Sequence, residues 1–252
     1  MRITSPNEAA SPSSEGAQQE DRARKTPHAR RGSGQSGARR DPAATRERIL
    51  DAGRVEFSQH GYNGARIDRI ARRSRSNIRM IYHYFGGKEP LYLAVLEDTY
   101  RRIRQRERQL DLKHLPPGQG MRQLVEFTFD YLCDNPNFVK LICNENLLQG
   151  KFLKKSRVVP ETTLPLVDAL EDLLRRGQAG GVFHKKVGPI QLYVTILSVC
   201  FTHLSNRHTL SIMFQQDLSE ARWLRERRGH VVDVILSYLT AGTRNTAAGA
   251  PR

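Results

Sequence analysis

An all-α protein is predicted by three features of this 252-residue chain. Apolar residues recur three and four residues apart in segments from Ile49 to Leu239, the period of a helix with one buried face. Gly and Pro clusters at Leu115-Pro116-Pro117-Gly118, Asn135-Pro136, Gly180-Gly181 and Pro189 interrupt those segments. Between Gly61 and Leu91, two short helical patterns flank a break of three to four residues, the layout of a helix-turn-helix.

Residues 1–41 are rich in Ser, Gly, Ala, Pro, Gln and Arg and nearly lack large apolar side chains. Such a stretch cannot bury enough surface to offset its ordering entropy, so a disordered basic tail is expected there and another over residues 242–252. Residues 42–90 form the next unit. Its first helix carries Ile49, Leu50, Ala52 and Phe57, and Gly53 within it should cost about 1 kcal/mol relative to Ala. In the second, Ile67, Ile70 and Ala71 share an inward face, while Arg66, Arg69 and Arg73 share another beside Arg72.

The third helix follows Ser74-Arg75-Ser76, with Asn77 as its N-cap. Ile78, Ile81 and Phe85 make an inward stripe, which leaves Arg79, Met80 and His83 pointing elsewhere, with Tyr82 and Tyr84 beside them. Arginine reads guanine edges, apolar atoms meet the thymine methyl, and Tyr hydroxyls and Lys amines suit phosphate oxygens. Lys88, before Pro90, stands at the start of the next helix, where a cation opposes the helix dipole unless Glu89 or an external phosphate offsets it.

Charge agrees. The chain carries 41 Lys+Arg against 26 Asp+Glu, and residues 42–90 hold 10 against 5, a dense basic block of the sort that binds phosphate.

Residues 45–97 resemble the DNA-binding domain of the TetR family of bacterial one-component regulators. Ile49-Leu50-x-Ala52, Phe57 and Gly61-Tyr62 match its first helix and exit turn, and Ile67-x-x-Ile70-Ala71 its second helix. Ile81-Tyr82-x-Tyr84-Phe85-x-x-Lys88-x-x-Leu91 matches the recognition helix and the entry to the fourth. The resemblance implies a three-helix helix-turn-helix domain followed by a C-terminal helical domain for ligand binding and dimerisation. It implies double-stranded operator DNA as partner, a homodimer, and a small-molecule effector. The residues expected at DNA are Arg66, Asn77, Arg79, Met80, Tyr82, His83, Tyr84 and Lys88. Three departures stand out. Ala65-Arg66 replaces the usual hydroxyl before the second helix, which would raise salt dependence. Arg75-Ser76 replaces Gly-Val in the turn, so Arg75 has to accept an unusual backbone angle or the turn differs. Arg79-Met80 replaces small residues, so the operator sequence cannot be inferred from relatives. Arg30-Arg31 and Arg39-Arg40 offer an arm along the minor groove or phosphates.

Residues 91–118 are expected to be a linking helix, Leu91 to Arg108, and a boundary. Leu93, Leu96, Tyr100 and Ile103 pack, and Arg101, Arg102, Arg104, Arg106 and Arg108 form a solvated face. The body, residues 119–241, contains five helices in this reading. One starts with Met121, Leu124, Val125 and Thr128, and a second spans Phe138 to Leu148. A third carries Leu166, Leu170, Leu173 and Leu174 and stops at Gly177 and Gly180-Gly181. A fourth opens at Pro189 with the stripe Ile190, Tyr193, Val194, Leu197, Phe201 and Leu204. Leu192, Ile196, Val199 and Cys200 make its other side apolar too, so a dimer partner should cover one face. The last, about 219–240, carries Leu224, Val231, Ile235 and Tyr238 or Leu239, and with the fourth it is the candidate dimerisation pair. Asn206 to Ser211 and the run 177–189 are similar to the RutR/NicS-like branch, which fixes no ligand. Candidate effector contacts are Phe127, Tyr131, Asn144, Tyr193, Phe201 and His203, with Phe138, Cys143, Asn146 and Phe152 as further possibilities.

Other functions fit poorly. The three cysteines form no CxxC pair, and their odd number with no export signal suggests reduced thiols in a cytoplasm. The eight histidines show no HExxH spacing, and neither a phosphate-binding glycine loop nor a GxSxG elbow occurs, so no metal, cofactor or catalytic residue is expected. No apolar run reaches the length of a membrane span. The alternatives are a DNA-binding regulator without inducer, acting as an activator or through a protein partner, and a helical enzyme with an incidental basic face.

Overall fold

A computed structural model describes residues 41–242, and both expected tails and their arginine pairs lie outside that range. Ten α-helices follow in order: α1 (Pro42–Gly64), α2 (Ile67–Arg73), α3 (Ile78–Phe85), α4 (Lys88–Glu107), α5 (Pro117–Asp134), α6 (Pro136–Leu147), α7 (Val158–Ala179), α8 (Pro189–Ser205), α9 (Arg207–Phe214) and α10 (Ala221–Thr240). Among the described residues there is no strand.

Asp41 caps α1 by accepting from the Ala43 amide at 2.9 Å, and Pro42 occupies the first turn, where its missing N–H costs nothing. Gly61, at φ 63°, breaks the helix before the chain enters α2. Ile49, Leu50, Phe57, Ile70, Ile81, Leu91, Tyr92 and Leu96 close the core of this head. Gly53 does more than weaken α1. A Cβ there would come within 3.1 Å of Val95 Cγ2, so the missing side chain lets α4 lie close.

The head is not a free-standing bundle. Leu141 and Phe152, from the body, complete its core, and the Phe152 ring lies 4.3 Å from Tyr62 and 4.9 Å from Tyr92. Phe152 is therefore a joint between head and body. Asn144 Nδ2 donates to the Phe57 carbonyl at 3.2 Å, and Ser58 Oγ donates to Asn137 Oδ1 at 3.0 Å. Glu145 is buried in the same joint, accepting from the amides of Phe152 and Leu153 at 2.7 and 2.9 Å.

In the body, α5 is the central helix and packs on α7, α8 and α10 around Met121, Leu124, Phe129, Leu170, Leu173, Ile196 and Ile235. Helix α7 starts at Val158 and runs through Gly177 to Ala179. It ends at the expected Gly180-Gly181, with Gly180 as C-cap, and Gly177 does not stop it. It makes room instead, since a Cβ there would sit 2.0 Å from the Phe183 ring, which covers the core. Helix α9 buries none of its residues, so hydrophobic periodicity gives no signal for it.

Two faces go beyond what the sequence settles. On α8 the buried residues are Leu192, Tyr193, Ile196, Cys200 and His203, while Ile190 and Val194 of the other apolar stripe are 65% and 51% exposed. On α4, Arg104 leaves the arginine face and is buried. It bonds the buried Glu107, and its Nη1 donates to Tyr193 Oη at 3.1 Å. Its partner Glu107 stands three residues on in the same helix, but Tyr193, which closes the cluster, comes from 89 positions away.

Candidate nucleic-acid interface

Asn77 Oδ1 accepts from the Met80 amide at 2.9 Å and starts α3, which Gly86, at φ 82°, ends in a left-handed cap. Ile81 and Phe85 are buried as expected. The third member of the stripe is not: Ile78 is 45% exposed, because it opens the helix before α1 or α2 can cover it. Met80 and Tyr84 take its place, half-buried against the head core. The outward face is thus Ile78, Arg79, Tyr82 and His83, with Tyr82 55% exposed.

The turn before α3 tests the departure from Gly-Val. Arg75 adopts φ 52°, a left-handed angle that costs a non-glycine residue strain. Two serines stabilise the turn around it. Ser74 Oγ donates to the Ile70 carbonyl at 2.8 Å and lies 2.7 Å from Ser76 Oγ.

Not every nearby arginine is available. Arg69 donates to the buried Glu56 at 2.6 Å and to the Gly64 carbonyl at 2.7 Å, so it is part of the scaffold. Glu56 also accepts the Arg66 amide at 3.0 Å and fixes the entry to α2, a role that the sequence reading missed. The Arg66 side chain pairs with Asp68 at 3.1 Å but stays exposed. Arg72 pairs with the same carboxylate at 3.2 Å. Arg73, Arg75 and Arg79 are exposed and form no ion pair among the described residues.

Lys88 is the first residue of α4. Its Nζ donates to the Asn63 carbonyl at 3.3 Å and stands 4.9 Å over the Tyr62 ring. Burial there holds its pKa below the ordinary lysine value. Glu89 bonds Lys155 and so is not the counter-ion of Lys88.

Of the expected effector residues, Tyr131, Phe138 and Tyr193 belong to the body core, with Phe127, Cys143 and Phe201 packed against it. Phe127 and Tyr131 lie together, with ring centroids 5.7 Å apart. Asn144 is the tether to α1 already described, and Tyr193 belongs to the Arg104–Glu107 cluster. His203 is buried against Phe129, its ring stacked at 5.1 Å, with Trp223 at 5.5 Å. Burial, with Arg227 nearby, lowers its pKa to about 4. Phe201 is half-buried on the same helix. Asn146 is exposed, and Cys143 and Phe138 line two different clefts.

Among the described residues no cluster of three or more His, Cys, Asp or Glu could hold a metal. No described helix is long and apolar enough to cross a membrane.

With this geometry in place, comparison with known proteins is decisive. The signature described as "Bacterial regulatory proteins, tetR family" matches residues 49–95, and "Tetracyclin repressor-like, C-terminal domain" matches residues 117–235. The HTH-type transcriptional repressor NicS of Pseudomonas putida is 40% identical over 184 residues, 71% of this chain and 87% of NicS. The regulator RutR of Escherichia coli is 27% identical, covering 59% of this chain and 66% of its own. The fold is similar to the fatty acid degradation regulator FadR of Bacillus halodurans, with a TM-score of 0.58 at 19% identity, covering 79% of this chain and 96% of that one. HlyIIR, a hemolysin II transcriptional regulator, gives 0.51 at 22%, covering 80% and 99%. The enzyme alternative falls away, since the matched relatives are transcriptional regulators. The chain belongs to the TetR family and is a DNA-binding transcriptional regulator.

Proposed function

We propose that the chain is a homodimeric repressor that binds a palindromic operator through α3 of each protomer and is released by a small-molecule ligand held by the body. The outward face of α3 carries this reading: it combines Arg79 and His83 with Tyr82 and Ile78, and no carboxylate lies within ion-pair distance of Arg79 among the described residues. In the major groove, Arg79 reads base edges, and Tyr82, His83 and Arg66 bind phosphate or neighbouring groups. Lys88 holds the phosphate register from the start of α4. Asn77 contributes mainly by capping, and half-buried Met80 and Tyr84 mainly by setting the tilt of α3. The repressor sense is supported by the name of NicS, and a dimer by the uncovered apolar face of α8. Two-fold symmetry then places two recognition helices about one DNA turn apart. A ligand releases DNA by binding the conformation whose half-site spacing no longer fits.

Footprinting of the purified chain on genomic fragments tests this. A discrete protected palindrome, lost when metabolites are added, is expected. Equal binding to every fragment and to competitor DNA at moderate salt would sink the reading.

A further inference from the structure

A cleft of about 470 Å3 opens where α1, α4 and the turn between α5 and α6 meet. That volume is within the range of small-molecule sites. Three arginines line it, Arg54 from α1 and Arg102 and Arg106 from α4, against one carboxylate, Asp134. Arg54 reaches Asp98 at 2.5 Å and Asp51 at 2.8 Å, and Arg102 reaches Asp98 at 2.8 Å. Those pairs fix both guanidinium groups at the wall, and Arg54 Nε is buried with no acceptor. Arg106 has no carboxylate within ion-pair distance among the described residues and lies 5.8 Å over the Tyr131 ring. Tyr131 and Phe138, also in the wall, meet edge to face at 5.8 Å. The first turn of α6 forms part of the wall as well, and the Asn135 side chain donates back to the Tyr131 carbonyl at 2.8 Å and caps none of the α6 amides, so the positive dipole end has no side-chain cap.

We propose that this cleft binds a small organic anion, a carboxylate or phosphate group attached to a flat apolar part that packs on Tyr131 and Phe138. The guanidinium groups and the α6 terminus supply the charge-assisted hydrogen bonds, and the rings supply the apolar contact. Water occupies such a polar cleft readily, but Arg54 and Arg102 already have carboxylate partners, so the charge left to offset is that of Arg106, with Arg54 Nε as a second open donor.

The location gives the site a consequence. One wall is α1 and α4, which carry the DNA-reading head, and the other is the α5–α6 turn of the body. An anion bridging them favours one head–body spacing over another and so couples to DNA affinity. This consequence rests on the repressor reading above. The binding itself does not.

The test is calorimetric titration of the full chain, without DNA, with benzoate, succinate and inorganic phosphate, against sodium chloride of matched ionic strength. Saturable binding of at least one probe is expected, and the three arms separate ring-bearing, aliphatic and phosphate anions. Arg106→Gln removes an exposed, unpaired cation and should weaken binding about tenfold. Asp134→Asn, which removes the one opposing charge, should tighten it. Each variant should keep the wild-type melting temperature without ligand. The proposal is overturned if no probe exceeds chloride, or if Arg106→Gln and Asp134→Asn bind as the wild type does. Anion binding with no operator binding would instead remove the repressor reading and leave the site standing.

Discussion

Helices α3 and α8 each leave one face uncovered, and the two faces have different chemistry. The outward side of α3 presents Arg79, His83, Tyr82 and Ile78. That of α8 presents Ile190 and Val194, and the helix has no charged residue between Pro189 and Thr202. The α8 hydroxyls do not change this. Thr195, Ser198 and Thr202 donate back to carbonyls of their own helix at 3.0, 2.8 and 2.7 Å. A neutral apolar face gains by meeting another apolar face, whereas a cationic one gains by meeting a polyanion. The polarity of an uncovered face therefore indicates the kind of partner, even where helical spacing looks alike.

The largest expected effect breaks the apolar side of this contrast. Val194→Asp places a charge in the proposed dimer interface and should yield a monomer by sedimentation. Because a monomer engages one half-site, operator affinity should fall by roughly a hundredfold or more. A dimeric Val194→Asp protein would remove α8 from the interface.

A second effect separates the body core from the head. His203 is 4% exposed, and its pKa falls to about 4 because burial disfavours the charged ring, with Arg227 adding repulsion. Above the ordinary histidine pKa of about 6.5 both folded and unfolded states hold it neutral. As pH falls below that value, only the unfolded chain takes up the proton. Stability is therefore lost between about pH 6.5 and 4, by roughly 3 kcal/mol in all. Urea unfolding of the wild type against His203→Phe across this range should show the difference shrinking. Parallel curves would mean that His203 charges while buried.

How far the sequence could foresee these features follows from what periodicity encodes. It located the helices of the head, because Ile49, Phe57, Ile70 and Ile81 repeat at spacing that only one face can satisfy. It misjudged Ile78 and Met80, because a helix of eight residues gives too few turns to separate a stripe from its neighbour. On α8 both faces are apolar, so periodicity could not say which one the core takes. Arg104, Glu107 and Tyr193 were beyond its reach for another reason. Tyr193 joins the local Arg104–Glu107 pair across 89 and 86 positions, which depends on tertiary approach. The same holds for Glu56, whose hydrogen bonds to Arg66 and Arg69 appear only once α2 folds back on α1. The particular partners of Asn144, Tyr193 and His203 likewise depend on tertiary approach, which residue type alone does not set.

A smaller effect sharpens the cationic side of the contrast. Arg79→Ala should cost about 1–3 kcal/mol and relax preference at one base pair per half-site. Tyr82→Ala should instead weaken binding evenly across sequences, since a phosphate contact carries no base information. Binding-site selection with each variant distinguishes them. An even loss for Arg79→Ala would take base reading away from that residue.

The smallest effect concerns Asn77, where capping and DNA contact compete for one side chain. Its Oδ1 is committed to the Met80 amide, so Asn77→Ala should cost about 1 kcal/mol of stability. Asp is an equally good cap but brings a negative charge to the start of α3. Asn77→Asp should therefore melt like the wild type and bind DNA more weakly, more so at low salt, where phosphate repulsion is least screened. Thermal unfolding and binding at two salt concentrations separate the two roles. If Asn77→Asp binds as the wild type does at both, the N-terminus of α3 stays clear of the phosphate backbone, and the reading face begins at Arg79.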